Sequence, residues 1–229
     1  VTGQIAQAPA PSLSGNQAFG GTLTAVLGTW DDSVDRTYQW FRSGEPIQGA
    51  TGTTYTLSLD DIGAVISFQV EGSKNGYQTT RRSVSSSAIS LGTLTYSSPS
   101  GPIVSGVGRV GQTLQISAGA TTNQQQHPSY RWDAGTHLII QWLKDGSAIA
   151  GATGTSYLIT PGDLGSAISV TVTGSKPGYH TVTRSKVVTN SVSPGQLTSS
   201  IPVISGEPNV GETLSAAPGA WSVGVVGVS

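Results

Sequence analysis

The chain has 229 residues, only 10% of them charged, and a formal net charge of -1 at pH 7. So few charges make no basic stripe, which excludes nucleic acid and anionic membrane surfaces as expected electrostatic partners. With no Cys anywhere, disulfides and thiolate metal sites are excluded as well, so buried apolar surface must hold whatever folds.

In chain order, the first recognisable segment is Gly3-Gln4-Ile5, which looks like the linker Gly195-Gln196-Leu197. A repeat then opens at Ser14-Gly15, with Phe19-Gly20-Gly21-Thr22-Leu23 following. Asp31, Asp32 and Asp35 form an acidic group without the rigid Glu-terminated loop of a calcium site, and a solvated loop is expected there. Gln39-Trp40 and Gly49-Ala50-Thr51-Gly52-Thr53 come next. Apolar residues then alternate at Tyr55, Leu57 and Leu59 and again at Ile66, Phe68 and Val70, which predicts half-buried strands. Between them lies Asp60-Asp61-Ile62-Gly63, a corner. After them, Asn75-Gly76 ahead of Tyr77 predicts a tight turn with positive φ at glycine.

The series then recurs. Gly151-Ala152-Thr153-Gly154-Thr155, Gln141-Trp142, Gly174-Ser175-Lys176 and Gly178-Tyr179 all stand 102 positions after their counterparts. Ile168, Val170 and Val172 repeat the second strand, Asp163 repeats the corner, and Pro177 replaces Asn75 in the turn. Ser105-Gly106 with Val110-Gly111-Gln112-Thr113-Leu114 repeats the opening, which appears once more at Ser205-Gly206 with Val210-Gly211-Glu212-Thr213-Leu214. One structural unit is therefore copied along the chain. About seven short strands per unit, with no sustained helical stripe, predict an all-β fold of tandem antiparallel β-sandwiches.

The ordered string runs from a Ser-Gly opening through Val-Gly-x-Thr-Leu, Gln-Trp, Gly-Ala-Thr-Gly-Thr-x-Tyr, Asp-x-Gly and Gly-Ser-Lys-x-Gly-Tyr. It resembles the immunoglobulin-like repeats of large secreted and cell-wall-associated actinobacterial proteins. The resemblance implies immunoglobulin-like sandwiches of the disulfide-free kind, since Ile66–Val70 holds no Cys where antibody domains carry one. It also implies an extracellular or cell-wall location. The expected organisation is a tail or linker of a preceding repeat over 1–10, a first repeat over 11–97, a second over 98–200 and an incomplete third over 201–229. On this reading the chain is a piece of a longer polypeptide.

Residues that recur in each copy are most simply explained by the shared fold. Trp40 and Trp142 are expected as core pins and Asp61 and Asp163 as corner residues bonding nearby backbone amides. Tyr77 and Tyr179 are expected to pack over their turns. The irregularity is in the second repeat. Taking Thr121 as the equivalent of Trp30, the distance to the core Trp grows from 10 positions to 21, an insertion of 11 residues within 121–137. A loop carried by a rigid sandwich is a usual place for binding. The candidate ligand-binding residues are therefore Gln126, His127, Tyr130, Arg131, Trp132 and Asp133. Tyr130 and Trp132 would stack on sugar rings while the polar groups bond hydroxyls. The competing reading has Trp132 continuing a longer hairpin and covering its own loop, or packing against the neighbouring unit.

No metal site is expected from His127, His137 and Asp133, which lack a tight ligand pattern, and no cofactor is expected. No His-Ser-Asp or paired-carboxylate arrangement is present, so the chain is read as not an enzyme. The expected role is a spacer or stalk in a secreted or cell-surface protein. The alternatives are a carbohydrate-binding or adhesion module for polysaccharide or cell-wall glycan, and a fibre subunit whose incomplete third repeat is completed by strands of another copy.

Overall fold

Period-two alternation becomes paired sheets in the computed structural model, which describes residues 2–97, 101–117 and 132–223. The described residues form two compact units, the first of Val1–Leu94 with Lys176–His180 and the second of Thr95–Ser175 with Thr181–Ser229.

In the first unit the strands are β1 (Ser12–Gly15), β2 (Thr22–Val26), β3 (Asp35–Arg42), β4 (Glu45–Pro46), β5 (Thr54–Thr56), β6 (Val65–Ser73), β7 (Thr80–Ala88) and β8 (Gly92–Thr93). One sheet has the order β1-β2-β5 and the other β4-β3-β6-β7, with antiparallel neighbours throughout. Along β6 the buried positions are Ile66, Phe68, Val70 and Gly72, every second residue, so one face of the strand is core and the other is not. Trp40 stands opposite Phe68 in the β3–β6 register, and their rings meet at 4.9 Å. Leu23 and Ala25 of β2 close the core from the other sheet.

The second unit repeats this plan with β9 (Ile103–Ser105), β10 (Thr113–Ser117), β11 (His137–Lys144), β12 (Ser147–Ala148), β13 (Ser156–Leu158) and β14 (Ile168–Ser175). The short strand β15 (Tyr179–His180) clusters with the first unit and pairs with β8, and β16 (Val182–Thr189) returns to the second. Its sheets are β9-β10-β13 and β12-β11-β14-β16, and Trp142, Ile168, Val170 and Val172 fill the space between them. A three-stranded sheet facing a four-stranded one, in this connectivity, is an all-β immunoglobulin-like sandwich.

Beyond β16, β17 (Leu197–Ser199) pairs with β20 (Trp221–Val223), and β18 (Val203–Ser205) pairs with β19 (Ser215–Ala217). These short pairs bury little: Leu197, Val203, Ile204 and Leu214 all stay exposed.

Residues 3–8 join the first unit. Ile5 is 7% exposed and, with Ala8, belongs to the same core as Trp40 and Phe68. Hydrogen bonding explains the capture. Gly3 pairs in parallel with Tyr77, its N–H donating to the Gly76 carbonyl at 2.9 Å and its carbonyl accepting from Gln78 N–H at 2.9 Å. The Asp31 carboxylate then accepts the N–H groups of Ala6 and Gln7 at 2.7 and 3.1 Å. Such non-local pairing leaves no periodic mark in the sequence.

Candidate functional site

The repeated motifs converge on the third strand of each sandwich. Gln39 lies on β3, and its side-chain amide donates to the carbonyls of Trp40 at 2.8 Å and Ile47 at 2.7 Å. Gln141 does the same with Trp142 at 2.8 Å and Ile149 at 2.9 Å. The indole N–H of Trp40 reaches the Gly52 carbonyl at 2.9 Å and that of Trp142 reaches Gly154 at 2.9 Å. The backbone N–H of each tryptophan donates to Ala50 or Ala152, so the Gly-Ala-Thr-Gly-Thr loop is wrapped onto its own tryptophan. The first glycine of the loop turns the chain with φ of 77° at Gly49 and 74° at Gly151. Both tryptophans are fully buried, so their polar nitrogen needs these partners.

The corner is a second recurring cluster. Asp61 ends a 3-10 turn, Leu59–Asp61, and is completely buried. Its carboxylate accepts from Ser58 N–H at 2.6 Å, Ser58 Oγ at 2.8 Å, Tyr55 Oη at 3.0 Å and Arg42 Nε at 2.7 Å. Burial alone would raise its pKa. The bonds from Ser58, Arg42 and Tyr55 outweigh burial and hold the carboxyl below its ordinary 3.8. In the second unit Asp163 accepts from Thr160 N–H and Tyr157 Oη, both at 2.8 Å. Lys144 replaces the arginine there, bonded to the Gly162 carbonyl and 4.0 Å from the carboxylate. The same balance of burial against hydrogen bonds lowers Asp163, and burial together with the Asp163 charge pushes Tyr157 up to about 12. The bonds on both carboxylates hold the corner.

Trp132 is only 4% exposed. Its ring lies over Gly174, where an added Cβ would fall inside the indole, and the Trp30 ring lies over Gly72 in the same way. Trp132 is therefore the counterpart of Trp30, 102 positions on, and the equivalence of Thr121 with Trp30 is corrected. It also meets the Tyr96 ring at 4.7 Å, tilted by 37°, and so buried an indole is not offered to a sugar. Asp133 is the counterpart of Asp31: its carboxylate accepts Thr95 N–H at 2.8 Å and Thr95 Oγ1 at 2.5 Å, anchoring the strand that leads into the second unit's core. Gln126, His127, Tyr130 and Arg131 lie outside the described residues. From Val26 to Trp30 is 4 positions and from Ser117 to Trp132 is 15, so the 11 extra residues fall within 118–131. The signal was present in the sequence, since carrying the 102-residue offset upstream from Trp40 reaches Trp30 and Asp31 directly.

Tyr77 lies across Gly3, where a Cβ would come within 2.9 Å of the ring, and Lys74 Nζ sits over that ring, 4.9 Å from its centroid. Among the described residues no group of three His, Asp or Glu could hold a metal ion. No helix of the described residues is long and apolar enough to cross a membrane.

No protein-family model matches the chain, and comparison with the curated proteins gives no match. Among solved structures the chain is similar to Sidekick-1 immunoglobulin domains 1-5, at 16% identity and a TM-score of 0.29, over 86% of this chain and 41% of that one. The chain spans well under half of that structure, and its immunoglobulin-like assignment rests on its own strand order and register.

Proposed function

We propose that the chain is a non-catalytic array of immunoglobulin-like repeats serving as a spacer or stalk in a secreted or cell-surface protein. The observation that carries this reading is the employment of the repeated side chains. Gln39 and Gln141, Trp40 and Trp142, Asp61 and Asp163, and Trp30 and Trp132 are all engaged within their own sandwiches. What recurs is a way of building a domain, and the sparse charge of the chain favours no particular partner. Length is what such copying supplies.

A second reading keeps the insertion as a binding loop for polysaccharide or cell-wall glycan. It is favoured by 11 extra residues at one strand connection of the second repeat, within 118–131, a segment that holds Gln126, His127, Tyr130 and Arg131. The two readings separate on retention by insoluble polysaccharides and bacterial cell walls. The native chain is compared with a variant whose residues 118–131 are replaced by the shorter Leu27-Gly28-Thr29 connection of the first repeat. The spacer reading expects neither chain to be retained. Retention of the native chain alone would replace it with the binding reading.

A further inference from the structure

We propose that Asn75 is a site of spontaneous deamidation through attack by the Gly76 backbone nitrogen, and that the isoaspartate product loosens the pairing of Gly3 with the turn. Asn75 and Gly76 are the central residues of a turn closed by Tyr77 N–H donating to the Lys74 carbonyl at 3.0 Å. Both are exposed, and Gly76 has φ of 78°. Among the described residues neither the Asn75 side chain nor the Gly76 N–H has a hydrogen-bond partner. A Cβ on Gly76 would meet nothing within 4 Å, so the space beside its Cα is open. An electrophilic amide and an unhindered nucleophile are thus adjacent, solvated and uncommitted, which is the chemistry behind the thermal lability of asparagine.

The step balances without an oxidant. The Gly76 nitrogen, deprotonated by water or hydroxide, forms a bond to Cγ of Asn75. The bond from Cγ to the side-chain nitrogen breaks, and that nitrogen leaves as ammonia after taking up a proton. Water then opens the five-membered imide at either carbonyl, giving aspartate or isoaspartate. Aspartate leaves the backbone length unchanged. Isoaspartate places an extra methylene in the main chain directly before Gly76. The Gly76 carbonyl is the acceptor for Gly3 N–H, and Gln78 N–H donates to the Gly3 carbonyl, so a displaced Gly76 loosens the two backbone bonds that hold Gly3 to the turn, while Arg82 Nε still donates to the Ala8 carbonyl at 2.8 Å.

The second repeat provides the internal control. Pro177 stands where Asn75 stands, with Gly178 at φ of 84° and Tyr179 N–H donating to Lys176 at 3.1 Å. The turn is the same and the electrophile is missing.

The test is incubation of the full chain at mildly alkaline pH, with peptide mapping by mass spectrometry and enzymatic labelling of isoaspartate. Expected is acid and isoacid at position 75 accumulating several-fold faster than at Asn16, Asn190 or Asn209, which are exposed but precede Gln17, Ser191 and Val210. Gly76→Ala should slow it and Asn75→Gln should abolish it. Conversion at Asn75 no faster than at those three asparagines would overturn the site. Hydrogen exchange tests the consequence: the Gly3 and Gln78 amides should exchange faster in the isoaspartate fraction and not in Asn75→Asp. Equal exchange in both would overturn the loosening of the Gly3 pairing.

Discussion

The indole of Trp132 occupies the space that a side chain on Gly174 would need, so the two residues are a matched pair. The glycine has no Cβ because the ring lies on it, and the ring is buried because the strand beneath it has no Cβ. Gly174→Ala forces the indole to shift within a packed core. It should cost about 1–3 kcal/mol, and Trp132→Ala about 3–5 kcal/mol. Denaturant unfolding followed by tryptophan fluorescence checks both, and a neutral Gly174→Ala would place the ring elsewhere.

Asp61 serves four donors on one carboxylate. Asp61→Ala strands the Arg42 guanidinium and the Ser58 N–H and should destabilise the first unit by about 3 kcal/mol. Arg42→Lys should cost less than that, since the second unit builds the corresponding corner with Lys144. Thermal unfolding of single-unit chains measures the difference.

Stability should fall at both ends of the pH scale for opposite reasons. Asp61 and Asp163 are held below the ordinary 3.8, so their contribution is present above that value and is lost as pH drops through the lowered one. Tyr157 is raised from 10.0 to about 12, so its contribution is complete below pH 10 and disappears as pH climbs toward 12. Midpoints of unfolding against pH, with tyrosinate absorbance read in parallel, test this. In Asp163→Asn the acid loss of the second unit should flatten and Tyr157 should ionise earlier.

Replacing residues 118–131 by Leu27-Gly28-Thr29 should leave the second sandwich folded, with a change in stability within about 1 kcal/mol, because loop closure depends only weakly on length. Circular dichroism and the melting midpoint check it. Loss of the fold would mean that the insertion carries core contacts.

Much of the sandwich was legible because its determinants are local. Ile66, Phe68 and Val70, and then Ile168, Val170 and Val172, show their buried face by spacing alone, and the corner aspartates announce themselves three residues after Ser58 and Thr160. The binding-site reading of Trp132 went astray at the gap. An insertion can be placed anywhere between two matched anchors, and only the downstream spacing, 10 positions from Trp30 to Trp40 and 10 from Trp132 to Trp142, assigns the indole to the core. The place of residues 3–8 was hidden for another reason. Gly3, two residues ahead of Ile5, is held by parallel bonds to a hairpin more than 70 residues away, and pairing across that distance has no period to detect.

That early capture of Ile5 decides how such a repeat can be cut and pasted. A fragment begun at Ser12, where the first long sheet starts, would discard Ile5 and Ala8 from the core and leave the Asp31 carboxylate without the two amides it binds. A portable module must carry the glycine ahead of Ile5, and a protease that nicked the chain between Ala8 and Ser12 would leave a noncovalent strand to be lost by dissociation. A copy of the first repeat moved into another protein therefore keeps its core only if residues 3–8 travel with it.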